Sequence, residues 1–136
     1  MVKAGVQWGL FGGAIENLGT ARHHSRYVRP IIDLDLLGCF AMTETGHGSN
    51  VQAQETTATY DVATEEFVIH SATPSALKDY IGGAAETATI AAVFAQLITA
   101  GDNHGVHCFL VPIRDAHGDD LPGVTTSDNH YKGGLP

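Results

Sequence analysis

The sequence predicts a mainly β fold preceded by one or two short helices, and three observations lead there. Apolar residues recur at helical spacing only ahead of Pro30. Beyond the IIDLD stretch at 31–35, short apolar runs separated by turn-forming residues replace that spacing. Two of these runs, ETTATYD and EEFVIHS, alternate around an intervening turn, the pattern of a hairpin.

Ala4, Trp8, Phe11, Ile15 and Leu18 are separated by four, three, four and three positions, which places them on one helical face. Gly5, Gly9, Gly12 and Gly13 weaken that helix intrinsically, so it depends on neighbours. Gly19 predicts its stop, and Thr20 the cap of a second short helix through Tyr27 that Pro30 is expected to end. Residues 37–42 read as a strand, 55–61 and 65–71 as the hairpin, and 105–113 as a further strand with Pro112 near its end. The segment ATIAAVFAQLITAG, 88–101, is ambiguous: its alanines favour helix, while its β-branched residues and flanking glycines favour a buried strand. Propensity leans to helix. The closing YKGGLP follows turn-forming residues with no final strand, which predicts a piece of a longer protein.

A chain of 136 residues fits one domain, and 43% apolar against 16% charged residues describe a globular core rather than a disordered tail. Seven Lys and Arg against 15 Asp and Glu leave a net charge of −8, opposite to what nucleic-acid phosphates require. An anionic ligand would have to be held by local donors such as backbone N–H nests. Cys39 and Cys108 lie inside apolar runs and read as buried thiols. No signal peptide is expected, because Gln7 and glycines break the first apolar stretch and no cleavage pattern follows. No run approaches the ~18 apolar residues of a membrane span.

The stretch FAMTETGHGSNVQ, 40–52, sets three hydroxyl side chains, two glycines and Glu44 directly behind an apolar run. Hydroxyls, backbone N–H groups and room for close approach suit a phosphate or the polar edge of a ring. Taken alone, Thr43 and Ser49 read first as ordinary turn and capping residues.

That stretch continues as FAMTETGHGSNVQAQETTATYD and is followed in order by FVIHSATPSALKDYIGGAAE, VFAQLIT and GVHCFLVPIRD. The ordered set resembles the acyl-CoA oxidases, within the wider acyl-CoA dehydrogenase superfamily, from about Gly9 to Gly134. The resemblance implies that 1–34 are the end of an N-terminal helical domain with its linker. It implies that 35–136 are most of a middle β-barrel domain, truncated at its C-terminal end, with the C-terminal helical domain absent. It also implies a strand for the ambiguous Ile90 to Thr99.

The chemistry that the resemblance implies is FAD-dependent introduction of a trans-2 double bond into a fatty acyl-CoA. A base takes the α-proton, the β-hydrogen leaves as hydride to flavin, and O2 takes the electrons to give H2O2. The catalytic glutamate belongs to the absent domain, so no catalytic residue is expected here and the isolated chain should be inactive. The cofactor-binding residues carried over are Phe40, Met42, Thr43, Gly46, Gly48, Ser49 and Gly82. Thr43 stands at the isoalloxazine edge and Ser49 near the phosphates of FAD or CoA, which makes it a substrate-binding residue as well. Gly46 and Gly48 are expected to bring backbone N–H groups close through positive φ, and Gly82 is a second flavin contact in the YIGG turn. A homodimer in the full-length form, with no nucleic acid and no membrane span, is implied too. The compartment is cytoplasm in bacteria and peroxisome in eukaryotes.

Two departures stand out. Lys78-Asp79-Tyr80 occupies the place of Lys-Trp-Trp or Lys-Trp-Ile in many relatives, setting a carboxylate where an aromatic surface adjoins the flavin. Gly46-His47-Gly48 looks more like oxidases than dehydrogenases. The alternative readings are a dehydrogenase that passes electrons to another acceptor, and a non-catalytic β-barrel binding module. Glu44 reads as a structural acceptor of backbone N–H groups rather than a base, and His47 as an exposed loop residue. The pairs His104/His107 and His23/His24 lack the third and fourth ligands of a metal site, so no metal is expected. Arg22, Arg26 and Arg29 read as a solvated helix face, and Asp119-Asp120 as a turn.

Overall fold

The computed structural model describes residues 2–132; Met1 and the final Gly-Gly-Leu-Pro, where the sequence reading placed the end of an unfinished sheet, lie outside the described residues. The chain divides into two compact units. One gathers the helical start with Gly82–Ala91 and the chain from Pro112 onward; the other comprises Phe40–Ile81 and Ala92–Val111.

In the first unit, helix α1 covers 2–18, as Val2–Ala4, a π-wound stretch Gly5–Gly12, and Gly13–Leu18. Phe11 and Ile15 of the expected face are buried, but Trp8 and Leu18 are exposed and Gln7 is buried instead. The π winding explains the difference, because its turns take more residues than an α-turn and shift which positions share a side. The Gln7 amide is fully used: Nε2 donates to Leu36 O at 2.7 Å and Ile31 O at 3.4 Å, while Oε1 accepts from Gly38 N at 2.9 Å. Trp8 Nε1 also donates to Ile31 O at 3.0 Å.

Helix α2 covers 21–32, as Ala21–His23, a π-wound His24–Val28, and Arg29–Ile32. Gly19 ends α1 in extended backbone, and Thr20 caps α2 in a reciprocal box with His23. Pro30 does not end the second helix, contrary to the sequence expectation. Its ring would normally crowd the carbonyl four residues back, and the π-wound turn ahead of it opens that spacing. At the end of α2, Ile31 O accepts from Leu34 N at 3.4 Å, and Gln7 and Trp8 add side-chain donors to the same carbonyl.

Gly38 packs against the fully buried Phe11 ring so closely that an added Cβ would stand 2.1 Å from it. Arg114 closes this unit from the other end of its chain path. The guanidinium donates to the carbonyls of Ala88 (2.7 Å), Ala84 (3.0 Å) and Ala85 (3.1 Å), to Asp120 Oδ1 (3.0 Å) and to Thr126 Oγ1 (2.8 Å). Asp120 is thus more than a turn residue: it fixes the Arg114 side chain that holds 84–88.

The strands are β1 (Gly38–Ala41), β2 (Thr57–Asp61), β3 (Glu66–His70), β4 (Ile90–Thr99) and β5 (Asp102–Pro112). They form a mixed sheet in the order β1-β4-β2-β3, with β5 also paired to β4. The expected hairpin is β2–β3, antiparallel, with Thr57 opposite His70 and Asp61 opposite Glu66. Strand β2 runs parallel to β4, Thr57 opposite Gln96. A two-residue turn, Ala100-Gly101, joins β4 to β5 with φ of 51° and 87°, the type I′ geometry that matches strand twist.

Ile90 to Ala95 are buried without alternation, so the helix that propensity favours is replaced by a strand. Covered on both faces, it carries no period-two signal. Tyr60, Phe67 and Phe109 form an aromatic row in the second unit with successive centroids 5.1 Å apart. Among the described residues no helix is long and apolar enough to cross a membrane.

Gly38→Ala is expected to lower stability by about 2 kcal/mol, the scale of overpacking a filled core, seen as a lower urea midpoint at unchanged slope. Arg114→Leu is expected to cost roughly 3 kcal/mol in the same measurement, because the three alanine carbonyls lose their donor.

Candidate cofactor-binding loop

Past the end of β1, the chain makes a tight turn in which Glu44 and His47 exchange backbone hydrogen bonds of 3.5 and 3.0 Å. Residues 75–79 clasp this turn. Thr45 N donates to Leu77 O (3.0 Å), Gly46 N to Ser75 O (2.9 Å) and Asp79 N to Thr43 O (3.0 Å). Neither Gly46 nor Gly48 adopts positive φ, which corrects the sequence expectation. At Gly46 the reason for glycine is contact: a Cβ would lie 2.8 Å from Ser75 Cβ. Its N–H is also committed to Ser75 rather than turned outward. A Cβ at Gly48 would meet nothing within 4 Å, so that position faces open space.

Beneath the turn lies a buried charge pair. Glu44 Oε2 accepts from Glu55 N at 2.7 Å, and Oε1 accepts from Thr56 N at 2.9 Å and Lys78 Nζ at 3.0 Å. The Lys78 ammonium also donates to Met42 O (3.0 Å) and Gln54 Oε1 (2.9 Å). Burial pushes the Glu44 carboxyl upward, but hydrogen bonds from Thr56, from the Glu55 and Thr56 backbone and from Lys78 outweigh it and hold its pKa below the ordinary value. Burial holds the Lys78 ammonium below its ordinary value, against the pull of Glu44. With both oxygens engaged, Glu44 is a structural acceptor.

The residues carried over from the family resemblance fall as follows. Phe40 is half-buried with its ring 4.8 Å from that of Phe94, Met42 and Thr43 are half-buried, and Gly46, Gly48 and Ser49 are exposed. These six lie on one continuous stretch of the second unit. Gly82 belongs to the first unit, where it is exposed and an added Cβ would lie 3.2 Å from Val6. The stretch grades from an aromatic pair through a half-buried hydroxyl to an open glycine and an exposed serine. That gradient fits a group with a flat ring at one end and phosphates at the other.

His47 is half-buried, with Nε2 4.0 Å from Glu55 Oε1, rather than an exposed loop residue. Glu55 Oε2 accepts from Ser75 Oγ (2.5 Å) and Thr73 Oγ1 (3.0 Å), which together hold its carboxyl below the ordinary pKa. Glu44, His47 and Glu55 bring donor atoms within 4.8 Å of one another, a grouping that sequence spacing does not reveal. Lys78, 3.0 Å from Glu44, already supplies the positive charge there. His104 and His107 bond instead to Thr99 Oγ1 (2.7 Å) and Gly105 O (3.1 Å). Arg29 pairs with Asp33 at 2.5 Å and Arg26 stacks over Tyr27, both on the surface. Cys39 and Cys108 are free thiols whose pKa burial pushes up to about 11.

The family model described as acyl-CoA dehydrogenase, middle domain, matches residues 39–136. Acyl-coenzyme A oxidase 3, peroxisomal, from Arabidopsis thaliana is 48% identical over 134 residues, covering 98% of this chain and 20% of that protein. The solved acyl-CoA oxidase 1 of Arabidopsis thaliana aligns with a TM-score of 0.92 at 41% identity, over 96% of this chain and 20% of its own. Acyl-CoA oxidase-2 of Caenorhabditis elegans, solved bound with FAD, ascaroside-CoA and ATP, aligns with a TM-score of 0.91 at 35% identity, over 96% and 20%. The chain therefore spans about a fifth of the length of the relatives it matches.

The pKa shifts of the buried pair predict two pH windows. Glu44 is depressed from 4.5, so its contribution is complete above that value and is lost as acid protonates the folded carboxyl. Lys78 is depressed from 10.5, so the folded state sheds its proton first and stability rises again with pH on approaching that value from below. Urea midpoints measured across pH should fall in acid for the wild type and fall less for Glu44→Gln.

Proposed function

The chain belongs to the acyl-CoA oxidase family of the acyl-CoA dehydrogenase superfamily, and on that premise we propose that it forms one wall of an FAD site in a fatty acyl-CoA oxidase. In this reading, 1–34 end a helical domain and 35–136 belong to the middle domain of a longer polypeptide. The observation that carries the proposal is the 40–49 stretch, its turn clasped by 75–79, with Thr43 half-buried, Ser49 exposed and Gly48 facing open space.

When bound, FAD would supply the hydride-accepting chemistry for oxidation of a fatty acyl-CoA to its trans-2-enoyl-CoA, with O2 as the electron acceptor reduced to H2O2. This chain's part is binding and orientation. Phe40 and Met42 pack against the apolar ring system, the Thr43 hydroxyl bonds its polar edge, and Gly48 and Ser49 meet phosphates of FAD or CoA. Gly46 supports the turn from within. Gly82 stands in the proposal on the family resemblance alone. A net charge of −8 means that these anionic partners depend on such local donors. The base is assigned to no described residue, since both Glu44 oxygens are engaged. A homodimer and a peroxisomal setting complete the proposal, the latter because related oxidases carry that word in their names.

The test is the visible spectrum of the natural polypeptide carrying this sequence, mixed anaerobically with a fatty acyl-CoA. Flavin bands that bleach, recover in air and release H2O2 are expected. Bleaching that persists in air makes the enzyme a dehydrogenase, and a colourless protein without turnover overturns the proposal.

A further inference from the structure

We propose that Lys78 is a positioning residue for the cofactor loop, setting the direction in which Thr43 is presented; the inference rests on the FAD reading above. The ammonium has three donors and three protein acceptors, Met42 O, Glu44 Oε1 and Gln54 Oε1, at 3.0, 3.0 and 2.9 Å. One of these is the carbonyl of the peptide that leads into Thr43. A peptide unit is planar, so holding Met42 O in place turns Thr43 N–H the opposite way.

The next peptide is held as well. Thr43 O accepts from Asp79 N at 3.0 Å. Consecutive residues, Lys78 by its side chain and Asp79 by its backbone, therefore fix the peptides on both sides of Thr43. That leaves little backbone freedom at the residue proposed to meet the ring edge. Preorganisation to within about half an ångström is what a binding constellation requires of its supporting residues.

Stability alone is a poor reason for this arrangement. A buried charge pair costs desolvation that apolar residues of similar volume avoid. Arginine is not an equivalent, because its planar fork cannot aim three hydrogen bonds from one atom.

The experiment uses the natural full-length polypeptide, titrating its apo form with FAD and recording flavin spectra and melting temperatures for three variants. Lys78→Arg keeps the charge opposite Glu44 and should melt well above Lys78→Met, yet bind FAD about tenfold more weakly than the wild type with a shifted flavin band; misplacement by an ångström can cost more. Lys78→Met leaves Glu44 buried and unpaired and should lose both stability and FAD. Adding Glu44→Gln to Lys78→Met should restore melting without restoring FAD affinity or spectrum. If FAD affinity returns together with melting in the double variant, or if Lys78→Arg binds FAD as the wild type does with an unshifted band, the proposal is overturned and the pair is purely structural. Should the double variant fail to fold, the Lys78→Arg result decides. A wild-type protein that binds no FAD at all overturns the cofactor reading and this inference with it, an outcome distinct from normal FAD binding in the variants.

Discussion

With its side chain removed from water, the Glu44 carboxylate has to be compensated from inside the protein, and the groups that compensate it come from two separate stretches of chain. The N–H groups of Glu55 and Thr56 bring in the approach to β2, and the Lys78 ammonium brings in the segment after β3. Because each of those donors is itself tied elsewhere, the carboxylate cannot move without disturbing all of them. Lys78 reaches on to Met42 O and Gln54, while the Thr56 hydroxyl donates to Ala76 O at 3.1 Å. The turn at 44–47 is therefore held from below by charge and from the side by the backbone bonds of 75–79. Its rigidity follows from the cost of leaving any member of this network unpaired.

The helical unit solves a different problem by similar means. Backbone carbonyls at and just beyond the end of α2 and in the 84–88 segment are bonded by long polar side chains that reach in from distant positions. Gln7 does so for Ile31 and Leu36, Arg114 for Ala84, Ala85 and Ala88. In both units buried polar side chains, Gln7, Glu44, Thr56 and Arg114, serve the backbone. That leaves the hydroxyls of Thr43 and Ser49 for the ligand in the proposed reading, and it removes Glu44 from consideration as a base.

Much of this architecture could be read from the residues in order. The hairpin is legible because β2 and β3 are adjacent in the chain and one face of each is less buried, so the alternation survives. Gly19 and Thr20 mark the break between helices because their signals are local. Strand β4 is less legible: buried along Ile90 to Ala95, it shows only an apolar run with alanines, and the resemblance to a family, not periodicity, supplied its conformation. Pro30 misled for a related reason, since the π winding that accommodates it is not encoded in any single residue type.

The candidate site divides along the same line. Sequence by itself determined the composition of the loop, its hydroxyls, glycines and apolar lead-in, because these are properties of neighbouring residues and match a family pattern in order. It could not determine what Gly46 and Lys78 do. Gly46 is glycine because Ser75 presses on it, and Lys78 bonds Met42 and Glu44 from 36 and 34 positions away. Those partners are chosen by the tertiary fold, where burial makes every unpaired charge costly and so decides which distant groups must meet.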